Sequence, residues 1–412
     1  MMTQICTYAT RQFVLALAAG TLLWGGVAHG QVAYDSIQLP GLVVTGIRAD
    51  SLTTVVITAS YNSGGTTQAG LYQGTLQGVL KAPVSKWTIL QPVFPRQTVT
   101  SSTLYGPNTA FFNPSLGYGK IRAVGSYKYT TGASGPDFDH GCMYEGAIGS
   151  GRWTQLDATS LVPAGDTLLN TICHSTMGDL VVGNYDTDLV TGNAFIYNVK
   201  STKWVNLNPT GSKSTTAYGI WQNGGSYSSS YTIAGGFSDV NSGGLDVGYI
   251  VDYDSVSGKL TNLKKLNYNN QPVSSLISHF DGITGTPSGY NLTGDYVNIQ
   301  PTSNGGSAAA SVPVSEAGFF ASVKRKPNGS FGEATWREIS FTSRDGTIAE
   351  TTSGNTVVGN NVLGIYVDGT ESSYVATVYD NTPVGWLYWK LWDIYSVLAY
   401  WLVSFIYILS PV

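Results

Sequence analysis

The stretch GPDFDHG, residues 135–141, sets Asp137, Asp139 and His140 in a segment punctuated by Gly and Pro. Two carboxylates at i and i+2 in such a loop offer the oxygen donors that a hard cation such as calcium requires. NYDTDLVTG repeats the theme with Asp186 and Asp188, and FSDVNSGGLD does so with Asp239 and Asp246. None of these follows the D-x-D-x-D-G order of a calcium loop. Asp and Asn also form turns by bonding their own backbone, so turn chemistry stands beside calcium as the reading of Asp137, Asp139, Asp186 and Asp188. DYDSVSGK, residues 252–259, reads as a hairpin turn.

Other reactive groups are sparse. Beyond residue 30 there are three histidines, His140, His174 and His279, and two cysteines, Cys142 and Cys173. A three-His metal site would need convergence from distant parts of the chain, and a lone His on a polar surface is the commoner case. In an oxidising compartment Cys142 and Cys173 would form a disulfide; the alternative is two small buried apolar side chains. G-x-S-x-G, H-E-x-x-H, C-x-x-C and G-x-G-x-x-G are all absent.

The elements that must position these groups are strands. Only 11% of the 412 residues are charged, against about 25% in an ordinary soluble domain, while Gly numbers 50 and Tyr 26. Gly supplies positive φ at tight turns, and Thr, Tyr and Val suit a pleated face. The chain also repeats itself. A strand of the type V-V-G-N-Y recurs around Gly125, Gly183, Gly235, Gly294 and Gly359, with Ala59 in the same place, at intervals of 52 to 66 residues. An aromatic-aliphatic strand follows each: GLY at 70–72, GCMY at 141–144, NAFIY at 193–197, GYIV at 248–251, GFFASV at 318–323 and SYVATV at 373–378. A bulky residue three before an aliphatic one then closes five units, at Trp87/Leu90, Trp153/Leu156, Trp204/Leu207, Leu260/Leu263 and Trp336/Ile339. Four of the five Trp between residues 31 and 380 fill that slot, which marks them as packing residues. Trp221 alone is out of phase, in YGIWQNGGSY, and is the candidate aromatic ligand contact.

A short strand ahead of each glycine strand, as in TTAYGIWQNG and SHFDGITGTPSG, gives about four strands per unit. Such a unit buries its face only against its neighbours, so the expected fold is all-β: a β-propeller of about six four-stranded blades over residues 31–380, with a seventh if the tail pairs with the first unit. A β-solenoid and paired β-sandwiches are the alternatives. LVVGNYDTDLVTGNAFIYN and HFDGITGTPSGYNLTGDY resemble the HAF repeats of exported bacterial proteins, best at Asn193–Tyr197, where Asn replaces His. The resemblance implies an extracellular propeller-like array and carries no catalytic residues with it.

Residues 1–30 read as a secretory signal peptide: Arg11, an apolar run from Phe13 to Trp24, and Ala28-His29-Gly30 before Gln31. Without them the chain holds 20 basic and 25 acidic residues, net −5, with no basic cluster, which argues against nucleic acid. Residues 381–412 form a hydrophobic, aromatic-rich tail whose stretch 394–412 carries no charge. A membrane anchor is the first reading of it, and a lipid-anchor signal, a closing strand pair or an aberrant reading frame are the others. Asn291 and Asn328 head glycosylation sequons that read as loops. A surface short of charge and rich in Tyr, Trp, Asn, Thr and Ser suits contact with a glycan or a cell-surface protein. The expectation is an extracellular, surface-associated recognition module without cofactor, calcium excepted. A propeller enzyme acting on polysaccharide or lactone, and a structural envelope protein, are the alternatives.

Overall fold

A computed structural model describes residues 32–130, 138–272, 276–301 and 311–379. Six antiparallel sheets, each of four strands in meander order, contain almost all of the regular structure. Helix is limited to a four-residue turn, Leu76–Val79, and single 3₁₀ turns among the described residues. The innermost strands are Leu42–Ala49, Thr98–Thr109, Leu168–Met177, Ser212–Gln222, Leu276–Thr286 and Thr351–Val358. Each packs against the next, and the sixth packs against the first. The result is a closed ring of six blades, a β-propeller.

The ring closes without a covalent link. The sixth blade takes its inner, second and third strands from Thr351–Val358, Asn361–Asp368 and Thr370–Val378, and its outer strand from the chain's beginning, Val32–Ser36. Blade six therefore does contain the outer slot that sequence spacing located in only five units. Tyr34 fills it, edge-on to Phe341 and Tyr374 at 5.8 and 6.3 Å, and Ile37 lies three residues on with 3% of its surface exposed. The blade count is six, not seven, and the closing strand comes from the front of the chain.

The core lies between blades. Met177, Val182 and Ile196 of blade three pack with Ile220, Ile233 and Tyr249 of blade four; Ile250 of blade four packs with Phe280, Leu292 and Phe319 of blade five. At ~25 cal/mol per Å² of apolar surface, each such fully buried side chain contributes about 2–3 kcal/mol, and no blade gains this alone. The slot tryptophans seal the outer edge. Trp87, Trp153 and Trp204 lie against Tyr72, Tyr144 and Tyr197 at 5.4, 5.1 and 4.6 Å between ring centroids.

The glycine strand also has a physical cause. A Cβ on Gly125, Gly183, Gly235 or Gly294 would come within 2.0 Å of a carbonyl oxygen on the inner strand. In the sixth unit the residue in this position is Gly364, not Gly359: a Cβ on Gly364 would meet the Ser353 carbonyl at 1.9 Å, whereas Gly359 sits in a turn at φ +58°. Aligning Gly359 with Gly183 thus sets the turn after an inner strand against a second strand. The signal peptide, Asp137 and the tail, including 394–412, lie outside the described residues. No helix among the described residues is long and apolar enough to cross a membrane.

Candidate functional site

All six inner strands are irregular at the same height. Register shifts fall between Val44 and Gly46, Leu104 and Gly106, Cys173 and Ser175, Ala217 and Gly219, Phe280 and Gly282, and Ser353 and Thr356. A bulge frees one residue from the ladder and re-aims its side chain. The freed residues are Thr45, Tyr105, His174, Tyr218 and Asp281, with Gly354 and Asn355 in blade six. Glycine next to the bulge lets neighbouring strands close in: a Cβ on Gly46 would lie 1.7 Å from the Tyr105 carbonyl oxygen. What remains at the axis is a cavity of about 20 Å³, room for about one water.

An aromatic ladder crosses four blades beside that cavity. Tyr105 packs on His174 at 5.3 Å, His174 on Tyr218 at 4.5 Å, and Tyr218 stacks on His279 at 5.2 Å. His174 Nε2 lies 2.8 Å from Asn184 Oδ1, yet burial lowers its pKa to about 4, and the nearby His279 adds to the fall. His174 is therefore a neutral ring at pH 7. At the end of the ladder His279 Nε2 faces Asp281 Oδ1 at 3.3 Å and Asp295 Oδ1 at 3.2 Å. The second strand of blade five places Asp295 directly opposite His279, and the bulge delivers Asp281. Burial raises the Asp281 carboxyl to about 7, although His279 opposes the rise. Burial also works against the charge on Asp295, but His279 and a bond from Asp281 hold its pKa below the usual value. Burial disfavours a charge on His279 as well, and the two carboxylates overcome it, leaving its pKa well above the ordinary value.

The other end of the channel is plugged. Arg48, 5% exposed, donates from Nε to the Pro107 carbonyl at 3.3 Å and from Nη1 to the Ile283 carbonyl at 3.5 Å. Its guanidinium lies 5.5 Å from the ring centre of Trp221, which Phe112 meets edge-on at 5.2 Å. Burial lowers the Arg48 pKa to about 10. Outside the plug, on the face of the inner-to-second-strand turns, a groove of about 550 Å³ runs between blades four and five. Trp221, Asn223, Gly285, Ser288, Tyr290 and Arg325 help to line it. Arg325 is spent within the fold: its guanidinium grips both Asp252 oxygens, bonds Tyr290 Oη at 2.6 Å and stacks over Phe331 at 4.4 Å. Tyr227, in the adjoining turn, is 95% exposed.

The residues singled out from sequence scatter around this frame. Trp221 is half-buried rather than exposed, and meets the groove with one edge. Asp139 accepts from Ser126 Oγ at 3.0 Å, Asp186 from the Gly192 amide at 2.7 Å, and Asp188 from the Thr167 amide at 2.8 Å. Asn170 bridges two of these loops, taking the Asp139 amide and donating to Asp186 Oδ2. Each acid thus holds backbone or side-chain donors of its own surroundings. No disulfide joins Cys142 to Cys173: both are free thiols with no exposed surface, on strands of blades two and three, and burial pushes both pKa values up. Asn291 lies in a strand with its amide on the Gly359 carbonyl, not in a loop. Of the three histidines, His174 and His279 meet the channel through Tyr218, while His140 pairs with Asp157 at 3.0 Å away from it. The His279, Asp281, Asp295 group was not put together from sequence. Its signal is the pairing of SHFDG with LTGDY, which becomes readable once the bulge fixes the register.

No family model matches the chain, and no curated protein matches it significantly. Several solved structures align with the chain at low identity and low TM-score. A virginiamycin B lyase from Staphylococcus aureus is 10% identical with a TM-score of 0.37, over 84% of this chain and 99% of that one. A glycoside hydrolase is 11% identical with a TM-score of 0.35, over 87% and 90%. Semaphorin 1b from Drosophila is 9% identical with a TM-score of 0.35, over 85% and 87%. The class the fold defines is the β-propeller, and the likeness extends to the fold alone.

Proposed function

We propose that the protein is an exported recognition module that holds a neutral glycan in the groove between blades four and five. The observation that carries this reading is the groove's chemistry: an indole edge, a tyrosine, amide and hydroxyl groups, and one cation already neutralised by Asp252. Sugars are bound by such surfaces, with aromatic carbon against the apolar ring face and hydrogen-bonding groups around it. An anionic ligand would find no free charge in Arg325. The likeness to exported HAF-repeat arrays and the N-terminal segment support placement outside the cell. A glycosidase in the channel is less well supported. Its two carboxyls must flank a sugar at about 5–10 Å, whereas Asp281 and Asp295 crowd one imidazole beside a cavity with room for a single water. A glycan array probed with the full chain and with Tyr227→Ala tests the reading. Saturable binding to a neutral glycan, weakened severalfold by the variant, supports it. A blank array from a folded chain removes glycans as the ligand class.

A further inference from the structure

The three ligand atoms of His279, Asp281 and Asp295 lie within 4.8 Å of one another, and the same imidazole nitrogen faces both carboxylates. We propose that this cluster is a binding site for one divalent transition-metal cation, zinc or manganese. Separation is the first argument. A charge-assisted N–H···O bond settles at about 2.7–2.9 Å, and both contacts here are longer, at 3.3 and 3.2 Å. Ligands at 2.0–2.1 Å from a tetrahedral zinc are about 3.3–3.4 Å apart. The two nitrogen–oxygen edges thus have the length found between ligands of one metal ion.

Charge is the second argument. Two carboxylates face one imidazole nitrogen. A divalent ion on a neutral imidazole and two carboxylates makes the immediate group neutral without a shared proton. The third argument is delivery. The register opposite Asp295 and the bulge at Asp281 aim two side chains at His279 Nε2, and Tyr218 stacked on the ring fixes its orientation. Partners that orient a ligating imidazole are half of a metal site's design. The side chains keep 24, 18 and 16% of their surface open, enough for an ion to enter. One nitrogen and two oxygens suit zinc or manganese better than calcium, which takes six to eight oxygens. Three protein ligands leave at least one position for water or for an outside ligand.

The test is calorimetric titration of the chelator-stripped full chain with zinc, manganese and calcium chlorides in turn. One zinc or manganese ion per chain, bound at least 100-fold more tightly than calcium, is expected. Asp295→Asn should weaken binding 100-fold or more. Asp281→Asn should do the same while raising the melting temperature of the metal-free chain, because it removes one of two crowded carboxylates. Visible absorption of cobalt(II) bound to the unaltered chain gives a second readout that needs no variant. Absence of zinc, manganese and cobalt binding by a folded chain, preference for calcium, or full binding by Asp281→Asn/Asp295→Asn would each overturn the proposal.

Discussion

Arg48 is a buried cation that pairs with no carboxylate among the described residues, and replacing it with Met should leave stability nearly unchanged. Its pKa falls from 12.5 to about 10 through burial. At 1.36 kcal/mol per unit, holding the charge there costs about 3 kcal/mol at pH 7. Against this stand two hydrogen bonds at 3.3 and 3.5 Å, at the long end of the range, and contact with Trp221 at 5.5 Å. At about 1 kcal/mol each they offset the cost almost fully. Arg48→Met keeps the apolar stem of the side chain and drops both sides of the balance, so the urea midpoint should give a change within about 1 kcal/mol. Arg48→Ala keeps neither and leaves a void at the channel mouth, costing about 2–4 kcal/mol. Arg122 is the control: equally buried, it bonds Glu145 at 2.6 Å and the Gly178 carbonyl at 2.8 Å. Arg122→Met should cost about 2–3 kcal/mol by breaking a paired charge. A loss of 3 kcal/mol or more in Arg48→Met would refute the reasoning and show that Arg48 is held by more than two carbonyls and a ring.

Three further outcomes follow from the same structure. Gly183→Ala puts a Cβ 2.0 Å from the Ile172 oxygen and should cost about 3 kcal/mol, whereas at Gly70 the nearest atom is 3.5 Å away and Gly70→Ala should stay within about 1 kcal/mol by chemical denaturation. His174 has an ordinary pKa of 6.5 and a folded value of about 4, so the unfolded chain takes up its proton first. Its contribution is intact above pH 6.5 and falls by about 3 kcal/mol as pH drops to 4; His174→Gln should remove that part of the slope, and parallel pH curves would contradict it. Ile37→Ala, at the start of the chain, should cost a core-like 2–4 kcal/mol in a melting experiment, because Ile37 lies against Val79 and Leu363 in the closure of the ring.

The repeat was legible because packing enforces it. Trp87, Trp153, Trp204 and Trp336 hold one phase since each seals the same blade edge, and the glycine strand recurs because an inner-strand carbonyl occupies the Cβ position. Blade six misled for a physical reason: its outer strand, Val32–Ser36, lies at the opposite end of the described chain from its other strands, which begin at Thr351, so Tyr34 and Ile37 belong to no local pattern. Gly359 entered the alignment because a turn glycine after two valines reads like a strand glycine. Asp139, Asp186 and Asp188 drew attention as neighbours in sequence, but their oxygens are taken by donors of the fold around them, Ser126, Gly192, Asn170 and Thr167. His279, Asp281 and Asp295 are brought together by register and a bulge, neither of which composition or spacing displays. Trp221 stood out for being out of phase, and that displacement sets it against Arg48 at the groove instead of in a blade edge.

The measurement that bears most directly on recognition at the groove is a binding isotherm for the best neutral glycan from the array, on the unaltered chain and on Ser288→Trp, at 50 and 500 mM NaCl. Ser288 is exposed at the groove wall, so an indole there fills the space without entering the core. The account predicts an affinity that changes less than twofold with salt and falls at least tenfold in the variant. Equal binding by Ser288→Trp, or an affinity that collapses with salt, would place the ligand elsewhere or make it an anion.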